Sequence, residues 1–222
     1  MAHLNKLKGA PLVEEAYKTL AVLERDVFDY QFKNKGLLLA ALTHPSAKSY
    51  FQLDHDYEKL EALGDAILDY VININMMRYT MFERYLPQAE QPDLTAEQHE
   101  FLRTYQVNPD YQPEDAHQAK LKLAKNELLA KISCVFGFHK YCLFYDQQDN
   151  LYSKQDVRDF LKHSFTNKDF LMNQRKIEPF ESPKILGDIF ESIMGAVYED
   201  GGLDSVHRVY KHLLAPLILF NS

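Results

Sequence analysis

The chain has 222 residues, 46% of them hydrophobic and 26% charged, which suits one large domain with a sizeable core. Its formal net charge of -7 argues against a surface that binds polyanions by bulk charge alone, so a nucleic-acid role would have to account for the acidity. No apolar run approaches the roughly 20 residues that a bilayer span needs, and the first residues lack the basic-then-apolar order of a secretory leader. Cys134 and Cys142 do not form a C-x-x-C pair. These features imply an intracellular protein of the cytoplasm or nucleus, with reduced thiols and no membrane association.

Apolar residues at helical spacing (Leu12, Val13, Ala16, Leu20, Leu23, Val27) predict a first helix over 12–28, an N-terminal element occupying residues 1–29. A short helix follows Asn34 and carries Leu37 to Leu42; His44-Pro45-Ser46 should end it, because proline disfavours helix in the residue before it. Residues 57–81 read as one long helix with Leu60, Leu63, Ile67, Leu68, Val71 and Ile72 on its apolar face. Pro87, Pro92, Pro109 and Pro113 then mark a polar insertion over 87–114, with one short helix, 95–103, capped by Thr95. Helical periodicity resumes over 115–135 and again over 153–165. Ser182-Pro183 is a helix start, a cap residue followed by proline at the first helical position. That helix runs to Asp200 and stops at Gly201-Gly202, and a last one covers 204–214. Strand alternation is absent, so the fold class is all-α with about seven or more helices.

One pattern occurs twice. Leu63-Gly64-Asp65 and Leu186-Gly187-Asp188 each lie inside a helical stretch. Glycine in a helix interior costs about 1 kcal/mol relative to alanine, so its repeated use beside an aspartate suggests close approach of another backbone or a ligand. Glu61 and Asp65 are four apart and share a helix face; Asp188 and Glu191, three apart, share another. Acids embedded among apolar neighbours are costly unless paired or bound to a metal. If the two helices pack together, four carboxylates converge, a hard oxygen set suited to Mg²⁺ and to activating water for phosphoryl displacement. Glu58 lies on or near the first face. Lys184, four before Asp188, is placed to meet a phosphate or a leaving oxygen. Spacing alone leaves ordinary surface ion pairing equally open, and it names no substrate.

Tyr-Glu-Lys-Leu-Glu-Ala-Leu-Gly-Asp-Ala-Ile-Leu (57–68) resembles the signature helix of the ribonuclease III family, and the run from Pro183 to Gly202 resembles that family's second acidic segment. Leu42-Thr43-His44-Pro45-Ser46 lies upstream, where the family has a similar run. The resemblance covers most of 30–219, leaving 87–114 as an insertion, and the second segment and the ending His212-Leu213-Leu214-Ala215-Pro216-Leu217 are most similar to the second ribonuclease III domain of Dicer-like proteins. It implies an all-helical, dimeric endonuclease domain, spanning 30–220 here, that cuts double-stranded RNA with Mg²⁺ (Mn²⁺ substituting), one strand per site, leaving 5′ phosphates and short 3′ overhangs. Glu61, Asp65, Asp188 and Glu191 match the catalytic metal-binding acids, Glu58 a supporting acid, and Lys184 a lysine near the site. Asn126, with its neighbour Lys125, falls in a helix that contacts the RNA backbone. The partner is a second ribonuclease III domain, as a homodimer or from another chain, with a separate double-stranded-RNA-binding domain or protein offsetting the acidity; no such domain, helicase or PAZ-like region is read in this chain. Ala62 departs from the family, standing where a bulky residue plugs into the partner subunit. That departure keeps a second reading in view, a non-catalytic dimerisation or RNA-binding module; an unrelated helical phosphohydrolase is a third.

His44 reads best as a polar group meeting backbone at a helix end. The aromatic cluster Phe136, Phe138, Tyr141, Phe144 and Tyr145 reads as core, although such rings can stack bases. Lys120, Lys122, Lys125 and Lys131 form the one dense basic run, suited equally to phosphates or to a solvated face.

Overall fold

In a computed structural model of the chain, residues 8–77, 126–145, 159–160 and 182–220 are described. They form six α-helices with a π-helical turn, a 3-10 turn and no β-strand, in line with the all-α expectation. The predicted helix 95–103, the insertion around it and most of 153–165 lie outside the described residues.

Helix α1 (Gly9–Leu23) buries Leu12, Ala16, Leu20 and Leu23, one stripe at helical spacing. The periodicity continues to Phe28 as predicted, but the backbone widens into a π-helical turn (Glu24–Phe28) that Asp29 ends in the left-handed conformation, φ 49°. The turn carries Glu24 inward, where its carboxylate accepts the Phe32 N–H at 2.8 Å and pairs with Lys35 at 3.4 Å. Helix α2 (Lys35–Ala41) starts at Asn34, whose side chain accepts the Gly36 N–H, and buries Leu38 through Ala41.

The sequence reading placed only a helix end at His44-Pro45-Ser46. The structure has a helix start there too: α3 (Pro45–Phe51) begins with proline at its first position, and the His44 ring accepts the Ser46 N–H at 3.1 Å. Between α2 and α3, Thr43 makes an isolated parallel bridge with Leu143, and the Thr43 carbonyl receives the Tyr57 N–H at 3.0 Å. Helix α4 (Glu58–Met77) follows, then α5 (Asn126–Val135), the left-handed Gly137 and the 3-10 turn Phe138–Lys140.

Helix α6 (Lys184–Phe220) is the centre of the fold. Every residue from 185 to 197 is buried, since α4, α5 and α2 pack against it. The predicted stop at Gly201-Gly202 is present: Gly202 (φ 71°, ψ -173°) leaves the helical conformation and separates two helical segments of α6. One hydrophobic cluster joins Leu12 of α1 to Leu213 at the far end of α6. The predicted aromatic core is present in part: Phe138 is fully buried and contacts the rings of Phe28, Phe136 and Phe190, while Phe136, Tyr141, Phe144 and Tyr145 are half-buried against the core, Tyr145 stacking on Tyr50 at 3.5 Å. Cys134 and Cys142 are free thiols, each pushed up to about 12 by burial. Among the described residues no helix is long and apolar enough to cross a membrane.

Candidate metal centre

The site forms where α4 crosses α6. A methyl group on Gly64 would fall within the Glu191 carbonyl and lie 3.0 Å from the Gly195 nitrogen; one on Gly195 would fall within the Leu60 carbonyl and lie 3.1 Å from the Gly64 nitrogen. The backbones therefore touch, as the in-helix glycine at 64 implied, and the partner is Gly195. Side chains flanking so close a crossing have no room between the helices and gather at its margin.

There Glu61 from α4 and Asp188 and Glu191 from α6 each offer an oxygen within 4.8 Å of the others. Asp188 and Glu191 are buried and Glu61 is half-buried. Asp65 is exposed and stands outside this trio, yet its charge is felt at Glu191. Glu58 is exposed at the start of α4, where its N–H donates to Asp56 at 3.2 Å, and it too stands outside the trio. The Lys184 ammonium bridges the helices, 2.9 Å from Glu61 and 2.7 Å from Asp188. Asn126 opens α5, its side chain outside the description; Lys120, Lys122 and Lys125 lie outside the described residues, and of Lys131 only the backbone is described.

Tyr57 is a site residue that the sequence reading missed. Its hydroxyl donates to Asp188 at 3.3 Å, its backbone is tied to Thr43, and the His44 ring packs edge-on against it at 5.6 Å. Its position four before Glu61 was the available clue, since that spacing aligns it with the acidic face.

Burial is the main cause that raises the Glu191 carboxyl from 4.5 to about 7, with the charges of Asp65, Asp188 and Glu61 adding to it and Lys184 opposing. Asp188 is also raised, by burial first, against hydrogen bonds from Lys184 and Tyr57. Burial works to lower the Lys184 ammonium, but its hydrogen bonds to Asp188 and Glu61 outweigh that and raise it. One ammonium cannot neutralise the three clustered carboxylates and Asp65 beside them. This all-oxygen cluster with its excess of negative charge fits a hard divalent cation held by Glu61, Asp188 and Glu191, with Asp65 adjacent.

The family described as "Ribonuclease III domain" matches residues 58–202, which hold all four acids. The chain is 32% identical over 198 residues to Endoribonuclease Dicer-S of Xenopus laevis, covering 86% of this chain and 9% of that protein. It is 32% identical over 206 residues to Endoribonuclease Dicer homolog 4 of Oryza sativa subsp. japonica, covering 92% of this chain and 10% of that one. It thus spans about a tenth of the length of the curated relatives it matches. The solved nuclease domain of ribonuclease III from Campylobacter jejuni has the same fold, with TM-score 0.52, 23% identity and coverage of 90% of this chain and 95% of that one. The crossing of α4 and α6 lies wholly inside the matched segment, and the chain belongs to the ribonuclease III family as an endonuclease-type domain.

Proposed function

We propose that this chain is an Mg²⁺-dependent endonuclease domain that hydrolyses double-stranded RNA, cutting one strand per site and leaving 5′ phosphates and 3′ overhangs. The observation that carries the reading is the convergence of Glu61, Asp188 and Glu191, from two helices distant in sequence, to within 4.8 Å. When bound, the ion supplies charge stabilisation to a phosphoryl displacement and lowers the pKa of water. Asp65 lies beside the cluster as the fourth acid, and Glu58 supports from the start of α4. Tyr57 orients Asp188, and Lys184 lies where a phosphate would meet its ammonium. Mn²⁺ substitutes for Mg²⁺.

Duplex cleavage needs a second site. A second ribonuclease III domain supplies it, from another copy or a different chain; the Campylobacter jejuni nuclease domain has a region involved in dimer formation. Ala62 is exposed on α4, on the same side as the exposed Tyr70. With no bulky plug at 62, self-association is weak. A separate double-stranded-RNA-binding domain or protein compensates for the net charge of -7. Asn126 and Lys125 contact the RNA backbone, and the work is intracellular, in cytoplasm or nucleus.

Glu191→Gln should abolish Mg²⁺-dependent cleavage of duplex RNA while the helical circular dichroism spectrum is retained. Unchanged cleavage would refute the assignment. A wild-type chain that never cleaves, alone or with a catalytic partner domain, would instead mark a non-catalytic dimerisation or RNA-binding module.

A further inference from the structure

We propose that Lys184 is a built-in, displaceable counter-cation: it holds the acids of α4 and α6 together in the metal-free protein and gives them up when a divalent ion binds. This rests on the metal reading of the cluster.

The geometry makes the ammonium and the ion competitors. Lys184 holds Glu61 at 2.9 Å and Asp188 at 2.7 Å, and these are two of the three carboxylates whose oxygens lie within 4.8 Å of one another. An ion shared by the trio would sit against the same two carboxylates, bringing two cations into repulsive proximity. The side chain can leave. It is 57% exposed, against 4% for Asp188, so withdrawal into water requires no repacking. Its attachment is also asymmetric. The Lys184–Asp188 contact lies within one helix, whereas Lys184–Glu61 is a clamp between α4 and α6. Loss of the clamp without an ion would leave the partly buried acids of both helices repelling across a backbone contact. With an ion bound, the clamp is redundant and the freed ammonium becomes available to an anion. Divalent binding and phosphate binding are thereby ordered, the ion first.

Melting temperatures of wild type, Lys184→Met and Lys184→Arg, each with EDTA and with Mg²⁺, test this, together with the Mg²⁺ Kd by calorimetry. Lys184→Met should melt lower than wild type in EDTA and recover in Mg²⁺, so that its Mg²⁺-induced rise exceeds the wild-type rise. Its Kd should tighten by about tenfold, as removal of a nearby like charge requires. Lys184→Arg should stay close to wild type. If Mg²⁺ raises wild type but Lys184→Met gains no more and binds no tighter, the counter-cation is overturned and the metal reading stands. If Mg²⁺ affects none of the proteins, both fall. Should Lys184→Met not fold, wild type labelled with ¹⁵N-lysine decides: the Lys184 ammonium resonance should move to the solvent-exposed position on Mg²⁺ titration, and an unmoved resonance in Mg²⁺-loaded protein overturns the proposal.

Discussion

Gly64 and Gly195 meet backbone to backbone, so the spacing of the two acid-bearing helices is set by the absence of two side chains. Gly64→Ala would place a methyl within the Glu191 carbonyl and push α6 away from Glu61. The expected cost is about 3 kcal/mol, the upper range for overpacking, beyond the small gain in helix propensity. Gly195→Ala should behave alike against Leu60. Gly202→Ala is the contrast: nothing lies near it, so the cost is that of a positive-φ, extended backbone open essentially only to glycine, about 1–3 kcal/mol. Urea unfolding of the three variants measures the difference, and wild-type stability in Gly64→Ala would sink the account.

Glu191 should contribute progressively less to the stability of the metal-free protein as pH rises towards neutrality. Glu191 titrates near 4.5 in an ordinary environment and near 7 in the fold, so the folded state retains a proton that the unfolded chain has released. Its stabilising contribution is complete below about 4.5 and is lost as pH rises to about 7, on the order of 3 kcal/mol. Asp188, also raised, acts in the same sense. Glu191→Gln stays neutral and should flatten the profile. Divalent affinity should run the other way, climbing through pH 7 as the ion displaces the proton. His44 and His139, both lowered by burial, act in the opposite sense, so thermal melts of wild type and Glu191→Gln from pH 5 to 8 in EDTA check the sign through their difference, and a wild-type advantage over Glu191→Gln that grows with pH contradicts it.

Asp200 should matter for stability and not for metal binding. Its carboxylate accepts the Tyr30 hydroxyl at 2.7 Å and the N–H groups of Lys33 and Asn34 at 2.9 and 2.8 Å. Burial opposes its ionisation, but those donors outweigh burial and hold it below the usual range. Asp200→Ala removes three hydrogen bonds, two of them to solvent-exposed N–H groups that water can take over, and should cost about 1–2 kcal/mol, with Mg²⁺ affinity within about a factor of two of wild type. The contribution is present above about 3.8 and is lost as pH falls through the lowered value, so wild type and variant should converge in acid. Equal stability at pH 6 would remove Asp200 as a tether.

Local periodicity carried much of this structure. The stripe Leu12, Ala16, Leu20 and Leu23 read as a helix because nothing tertiary competes with it. The repeated Leu-Gly-Asp pointed to the right pair of helices, but each copy meets only half of its reasoning: on α4 Gly64 makes the close approach while Asp65 stays exposed, and on α6 Asp188 is buried while Gly195, not Gly187, meets Gly64. What failed was what depends on partners. The proline at 45 disfavours helix before it and favours helix after it, and a histidine ring serving as cap lies outside the usual Ser, Thr, Asp and Asn set. The π turn at 24–28 keeps helical spacing, so no pattern separates it from α1. Gly195 lies in an apolar run where its need is visible only once Leu60 is opposite. The four-residue spacing of Glu61 and Asp65 gives a common face, but the crossing point at Gly64 decides that Glu61 turns inward while Asp65 remains exposed.

The family's own pattern begins at residue 58, yet the helices it describes are held from outside it. The Thr43 carbonyl anchors Tyr57, the Ala41 carbonyl lies 2.7 Å from the Ser192 hydroxyl, and the loop from Tyr30 to Asn34 grips Asp200. The acid-bearing helices are thus moored at three levels to a preceding stretch that contributes no acid to the trio. The cooperative unit is therefore larger than the stretch that bears the hallmark residues, and excision at the match boundary would set both helices adrift.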